Sequence, residues 1–188
     1  MRKETIGPST YLFPMPAVLV GTRIGDRANY LLAAYAGILS HDPPTIGIGL
    51  RPVRYTVSGI EDNLMFSVNI PSTDQAVAAD YCGIYSGRRV DKSCVFSTFY
   101  GKTKNAPMIQ ECPINLECEL IKKVDLGSHT AFFGQILETY TSTNYLTNSL
   151  PDIKKIDPLI YETRQRRYWQ IGRQIGSSHS MGKNWRQE

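Results

Sequence analysis

The sequence predicts a mainly β fold, an antiparallel barrel with a few short helices. Three observations carry this. Five or six short runs, apolar or alternating, outnumber the one or two stretches of helical character. Turn residues recur at short intervals, with 15 Gly and 11 Pro among 188 residues. No G-x-G-x-x-G turn follows a strand, so the signature of a parallel dinucleotide-binding sheet is missing.

Taken in order, residues 11–22 enter through prolines and read as a strand, because Ala17-Val18-Leu19-Val20 is short, apolar and β-branched. Gly25-Asp26-Arg27 turns the chain. Asn29 to Ser40 suits either helix or strand: Leu31, Leu32, Ala33 and Ala34 favour a helix, but no cap or period decides. His41-Asp42-Pro43-Pro44 stops any helix there. Thr45 to Leu50 alternates glycine with bulky residues. Glycine at 47 and 49 clears one face of a strand, so that something flat can lie against the backbone. Residues 54–62 form a short helix or a loop, and Met65 to Ile70 form a strand stopped by Pro71. Ser72 or Thr73 caps a helix over 74–83, with Asp74 in its first turn and Gly83 near its end. Residues 86–106 are loop-rich. A strand over 114–124 turns at Asp125-Leu126-Gly127-Ser128 into a partner over 129–141. Residues 142–157 read as a polar loop, and the C-terminal part starts extended and ends in a Gly-punctuated tail. With no repeat and no linker, residues 1–188 are expected to form one domain.

Composition narrows the function. Net charge is +4 and hydrophobic residues make up 41%, ordinary globular values with a mild basic excess that suits an anionic ligand. No long Lys/Arg run marks a nucleic-acid footprint, and the aromatics do not interleave with basic residues. No window approaches 18 apolar residues, so no membrane span is expected. The four cysteines, at 82, 94, 112 and 118, form no CxxC pair and read as reduced thiols of a cytoplasmic protein. HExxH, GxSxG and P-loop patterns are absent, and no His/carboxylate cluster has metal spacing.

Three groups of residues can carry chemistry. Arg54, Tyr55, Thr56 and Ser58, with Arg51 close by, bring a cation and hydroxyl donors together, as a phosphate requires; the alternative is a solvated loop at a strand end. Ser86 to Lys92, including Asp91, form either a ligand loop or a charged surface loop. His129 follows a tight turn and opens an apolar strand. There it can donate to a ring carbonyl or stabilise developing negative charge, or serve only the turn.

In order and spacing, Asn29 followed by AYAGILSHDPP, then RPVRYT, FSVNI, DYCGIYSGRRVDK, GSHTAFFGQILE and PLIYETRQRRYWQIGRQIG, resemble the flavin reductase-like family of FMN-binding split barrels, and within it the flavoredoxin branch. These motifs span about residues 12 to 176. The resemblance implies a six-stranded antiparallel split barrel of Greek-key type that binds FMN as a homodimer. It further implies electron transfer from NADH or NADPH through FMN to free flavin, a ferric species or a redox protein, or electron carriage without a nicotinamide site. By the same resemblance, Asn29 and the segment Ala34, Tyr35, Ala36, Gly37, Ile38 and Ser40 lie along the isoalloxazine and ribityl chain. Arg54, Tyr55 and Thr56 lie at the phosphate, while Ser86, Asp91 and Lys92 close over the flavin and His129 sits near the ring. Tyr35 stands where tryptophan is frequent in the family, and Arg164, Arg166 and Arg167 where shorter polar residues are usual.

Overall fold

The computed structural model describes residues 2–185. Its centre is one antiparallel sheet built from β1 (Val18–Ile24), β2 (Arg27–Ala33), β3 (Ala36–Ser40), β4 (Thr45–Leu50), β5 (Met65–Ile70), β6 (Ile114–Asp125) and β7 (Thr130–Thr141). The strand order is β2-β1-β5-β6-β7-β4-β3. Its two edges, β2 and β3, are consecutive in the chain and joined only by Ala34-Tyr35, so the sheet must curl until its edges meet at that link. The ladder does not close there; the backbone N–H of Gly49 donates to the Tyr35 carbonyl at 2.7 Å instead.

Ladder pairing therefore counts seven strands where six were expected. The segment 29–40, which suited helix or strand, belongs to two edge strands interrupted at Ala34-Tyr35. Residues 54–62 resolve into helix α1 (Tyr55–Asn63), ended by Leu64 in the left-handed region at φ 55°. Helix α2 (Ala76–Ile84) follows a tight turn over Thr73–Gln75. Ser72 opens that turn with a reciprocal cap, its N–H donating to Gln75 Oε1 at 2.8 Å.

β1 shows why its apolar run is continuous. Val18 and Val20 point into the curl with Leu31, Ile48, Phe66 and Phe132. Ala17 and Leu19, next to them, point outward and pack with Tyr30, Ala79, Cys82 and Ile109. Both faces are covered, so alternation is lost. Phe66 and Phe132 are fully buried, each contributing about 1.5–3 kcal/mol in transfer from water.

β6 also buries a charge. The Glu117 carboxylate has no solvent exposure. It accepts from the Thr103 N–H and Oγ1, both at 2.7 Å, from the Lys102 N–H at 3.0 Å and from the Tyr140 hydroxyl at 3.0 Å. Burial works against ionisation, but these donors outweigh it and hold the carboxyl below its ordinary range.

Residues 142–157 are more ordered than a polar loop. A two-residue ladder joins Leu146–Thr147 to Leu150–Pro151, and Asp152 caps a helical turn over Ile153–Ile156 by accepting from the Lys154 N–H at 2.9 Å. Beyond them, Ile160–Glu162 pairs with both Arg167–Trp169 and Met15–Pro16. All four thiols are free: Cys82, Cys112 and Cys118 are buried and Cys94 is exposed. Burial pushes the Cys82 thiol up to about 11 and the Cys112 and Cys118 thiols higher still. Among the described residues, no helix is long and apolar enough to cross a membrane.

Candidate functional site

The chain leaves β4 through Arg51-Pro52-Val53 and enters α1 at Arg54, whose backbone is extended and whose N–H donates to the Arg51 carbonyl at 3.0 Å. This junction separates two cavities. The larger, about 420 Å³, takes walls from Leu31 to Tyr35, from Arg51 and Arg54, from His129, and from Tyr161, Thr163 and Arg166 of the C-terminal hairpin. The smaller, about 260 Å³, lies between Arg27 to Asn29, Tyr55 and the loop Gly87 to Lys92.

Asn29 ties these parts together from behind. Its Nδ2 donates to Thr56 Oγ1 at 2.8 Å, and both side chains are buried. Strand β2 is thereby pinned to the first turn of α1. Gly87 rests directly on Asn29 and Tyr55: a Cβ there would stand 3.1 Å from Asn29 Cγ and 2.9 Å from Tyr55 Cδ1. Only glycine lets the loop come this close. The Arg88 guanidinium lies over the Tyr55 ring, 4.7 Å from its centroid.

The remaining loop residues serve the loop itself. Asp91 accepts from Ser93 Oγ at 2.7 Å and the Ser93 N–H at 2.9 Å, and pairs with Arg27 at 3.0 Å. The Ser93 bonds first, and then the Arg27 charge, hold its carboxyl below the usual range. Ser86 accepts the N–H groups of Arg88 and Arg89 at a turn and lines neither cavity. Lys92 lines the smaller cavity, yet its ammonium is 3% exposed and donates to the Cys82 carbonyl at 2.7 Å and the Tyr30 carbonyl at 2.9 Å. It fastens the loop to α2 and β2.

Only Ala34 and Tyr35 of the Ala34-to-Ser40 segment reach the larger cavity. Ala36, Gly37, Ile38 and Ser40 belong to the edge strand β3 and line neither cavity; Ile38 is 64% exposed, and Ser40 Oγ donates to the Asp42 carbonyl at 3.2 Å. The cleared face of β4 is not open either. Leu39 fills the space over Gly47, and Tyr35 fills that over Gly49, 3.1 Å from where a Cβ would stand. The glycines admit side chains of the neighbouring strand and its link, leaving no bare backbone for a flat ligand.

His129 lies where its strand position suggested, on the wall of the larger cavity. Its ring centroid is 5.0 Å from that of Tyr35, with the planes inclined at 48°. Ser128 Oγ is 3.0 Å from His129 Nδ1. Burial, then the charges of Arg51 and Arg54, lower its pKa, so the imidazole is neutral at neutral pH.

The hairpin residues Tyr161, Thr163 and Arg166 escaped the sequence reading as site residues. The one signal was an arginine where shorter polar residues are usual. Thr163 Oγ1 is buried without a hydrogen-bond partner. Among the described residues, Arg51, Arg54 and Arg166 form no ion pair. A wall with three free guanidiniums, an unpartnered hydroxyl and a neutral imidazole is chemically suited to an anionic, partly aromatic ligand.

A family model described as the flavin reductase like domain matches residues 10–170. Three solved structures are similar over most of the chain. The flavoredoxin of Methanosarcina acetivorans is 37% identical, with TM-score 0.94 over 97% of this chain and 98% of its own. The flavoredoxin of Desulfovibrio vulgaris (Miyazaki F) is 36% identical, with TM-score 0.89 over 96% and 100%. An FMN-binding protein from Thermus thermophilus, solved with 1-cyclohex-2-enone bound, is 25% identical, with TM-score 0.80 over 94% and 98%.

Proposed function

We infer function from one premise, that this chain belongs to the flavin reductase-like family, and propose that it binds FMN and moves electrons through it from NADH or NADPH to free flavin, a ferric species or a redox protein. Family and flavoredoxin neighbours together make it a flavin-binding redox protein. The observation that carries the finer proposal is the larger cavity, where Arg54 at the start of α1 shares one wall with the Tyr35–His129 ring pair.

The residues present fit FMN. Its phosphate, close to a dianion at neutral pH, suits the Arg54 guanidinium and the positive end of α1. Its ring suits the side of the larger cavity formed by Tyr35 and His129, while Tyr55 and the loop from Gly87 to Lys92 line the smaller cavity. When bound, FMN supplies the hydride chemistry, and the protein supplies position and electrostatics. A neutral His129 donates at most one ring N–H, while Arg51 and Arg54 place positive charge beside it. That wall favours negative charge on whatever lies against it.

Access to this wall favours an enzyme over a pure carrier. The described lining comes from β2, the β4–α1 junction, His129 and the C-terminal hairpin, with no contribution from residues 142–157. A second copy of the chain would bury the exposed Ile38 and Leu39 on β3, consistent with the homodimer that the resemblance implies. Free thiols agree with a reducing, cytoplasmic setting.

An absorbance spectrum of the purified protein, followed by anaerobic NADH and then NADPH, tests the proposal. Flavin bands that bleach on addition establish reductase activity and identify the donor. Bands that persist until a reduced partner protein is added establish a carrier. A protein that stays colourless after incubation with FMN refutes both.

A further inference from the structure

We propose that Arg166 and Arg51 form a second anion subsite in the larger cavity, which takes a phosphate ester of the redox substrate while Arg54 serves the flavin; this rests on the FMN reading above. The cavity carries more positive charge than one bound phosphate needs. Arg51, Arg54 and Arg166 all line it, and none of them pairs with a carboxylate among the described residues. A single phosphomonoester brings roughly two negative charges, so three guanidiniums leave one unmatched. Like charges converging on one cavity repel one another and stay together only where something offsets the cost.

Two further observations place the surplus. Arg51 and Arg54 line the same cavity as His129, whose pKa is lowered by burial first and then by their charges. Arg166 comes from a different element, on the turn between Ile160–Glu162 and Arg167–Trp169, with its backbone in the left-handed region at φ 55°. That conformation is unusual for arginine and sets the residue at the cavity rim. Thr163, three residues earlier, brings its unpartnered hydroxyl to the same wall. Two guanidiniums and a hydroxyl, from Arg51, Arg166 and Thr163, match the donors that a phosphate ester accepts. A further cavity, about 310 Å³, shares Arg54 and Arg166 with the larger one and extends to Asp80 and Tyr168, which leaves room for an extended nucleotide.

The test uses the FMN-loaded protein and the variants Arg166→Met, Arg51→Met and Arg166→Lys. Binding of NADP⁺, NAD⁺ and inorganic phosphate is read from the perturbation of the flavin spectrum, and FMN affinity is measured separately. The expected result is NADP⁺ binding weakened about tenfold or more in either methionine variant, the loss of one charge-assisted contact. Arg166→Lys should recover part of it, NAD⁺ should lose less, and FMN affinity should stay unchanged in Arg166→Met. Weakened FMN binding in Arg166→Met with NADP⁺ binding intact overturns the proposal, because Arg166 then serves the flavin phosphate. Unchanged affinities for all ligands overturn it as well. Should the protein bind no FMN, phosphorus NMR with pyrophosphate still tests the arginines: pyrophosphate binding that ignores both methionine substitutions refutes the subsite by itself.

Discussion

Replacing Gly87 with alanine tests how the loop and the cavity floor are joined. The backbone of Gly87 lies outside the left-handed range, so alanine meets no conformational strain. On chain entropy alone the substitution would stabilise the fold by about 0.4–1 kcal/mol. The added Cβ, however, would sit on the Asn29 amide oxygen, 3.1 Å from Asn29 Cγ and 2.9 Å from Tyr55 Cδ1. Ordinary carbon contacts begin near about 3.5 Å. Either the loop lifts or Asn29 swings aside and breaks its 2.8 Å bond to Thr56. Leaving a buried polar group without its partner costs about 1–3 kcal/mol, which outweighs the entropic gain. Urea unfolding of the FMN-free protein should therefore show a net loss of about 1–2 kcal/mol, with weaker FMN binding by fluorescence titration. In an Asn29→Ala background the clash with Asn29 is relieved while that with Tyr55 remains, so the double variant should lose less than the sum of the singles by about 1 kcal/mol. Additive effects, or an alanine variant as stable as the parent with unchanged FMN affinity, would refute this account of the junction.

Four further outcomes are expected. Arg54→Ala should weaken FMN binding by about 1.5–3 kcal/mol, the scale of a hydrogen bond to a charged group; equilibrium dialysis giving the parental affinity would remove Arg54 from the phosphate site. His129→Ala should slow flavin reduction, by up to about a hundredfold, more than it weakens FMN binding, as measured by stopped-flow. Because the folded pKa of His129 is lowered, the unfolded chain binds more protons near its ordinary value of about 6.5, and this contribution to stability declines as pH falls through that range. Glu117→Gln should cost about 2–4 kcal/mol in urea, since each carboxylate oxygen accepts one backbone N–H and one hydroxyl, and the amide NH₂ must face one such pair.

How far the sequence could be read depended on whether a signal was local. Ser72 or Thr73 announced a helix start because a cap is made within a few residues; Ser72 makes it, with Gln75. β6 and β7 alternated because one face of each is partly wet. The segment 29–40 gave no period, since Tyr30 and Leu31 are buried on opposite faces of β2. Arg54 and His129 were singled out from their turns and neighbours, and both line the larger cavity. The structural bonds of Lys92 were not legible because its two carbonyl acceptors, from Tyr30 and Cys82, arrive from other elements. Gly47 and Gly49 misled for a related reason: the side chains that fill them come from β3 and the link before it, and their direction is not encoded locally. Arg166 reaches the cavity only through the pairing of the C-terminal hairpin with Met15–Pro16.

The distribution of sulfur has a practical consequence. Three thiols are sealed in the interior and held protonated, while Cys94 alone faces water among the described residues. A maleimide dye or nitroxide should thus attach at a single place without mutagenesis. That place is two residues beyond Lys92, where Cys94 Sγ lies 3.7 Å from the Asp91 carbonyl oxygen. The unaltered protein carries a mounting point on the strap beside its smaller cavity, and the tumbling of a probe fixed there would report when that strap tightens.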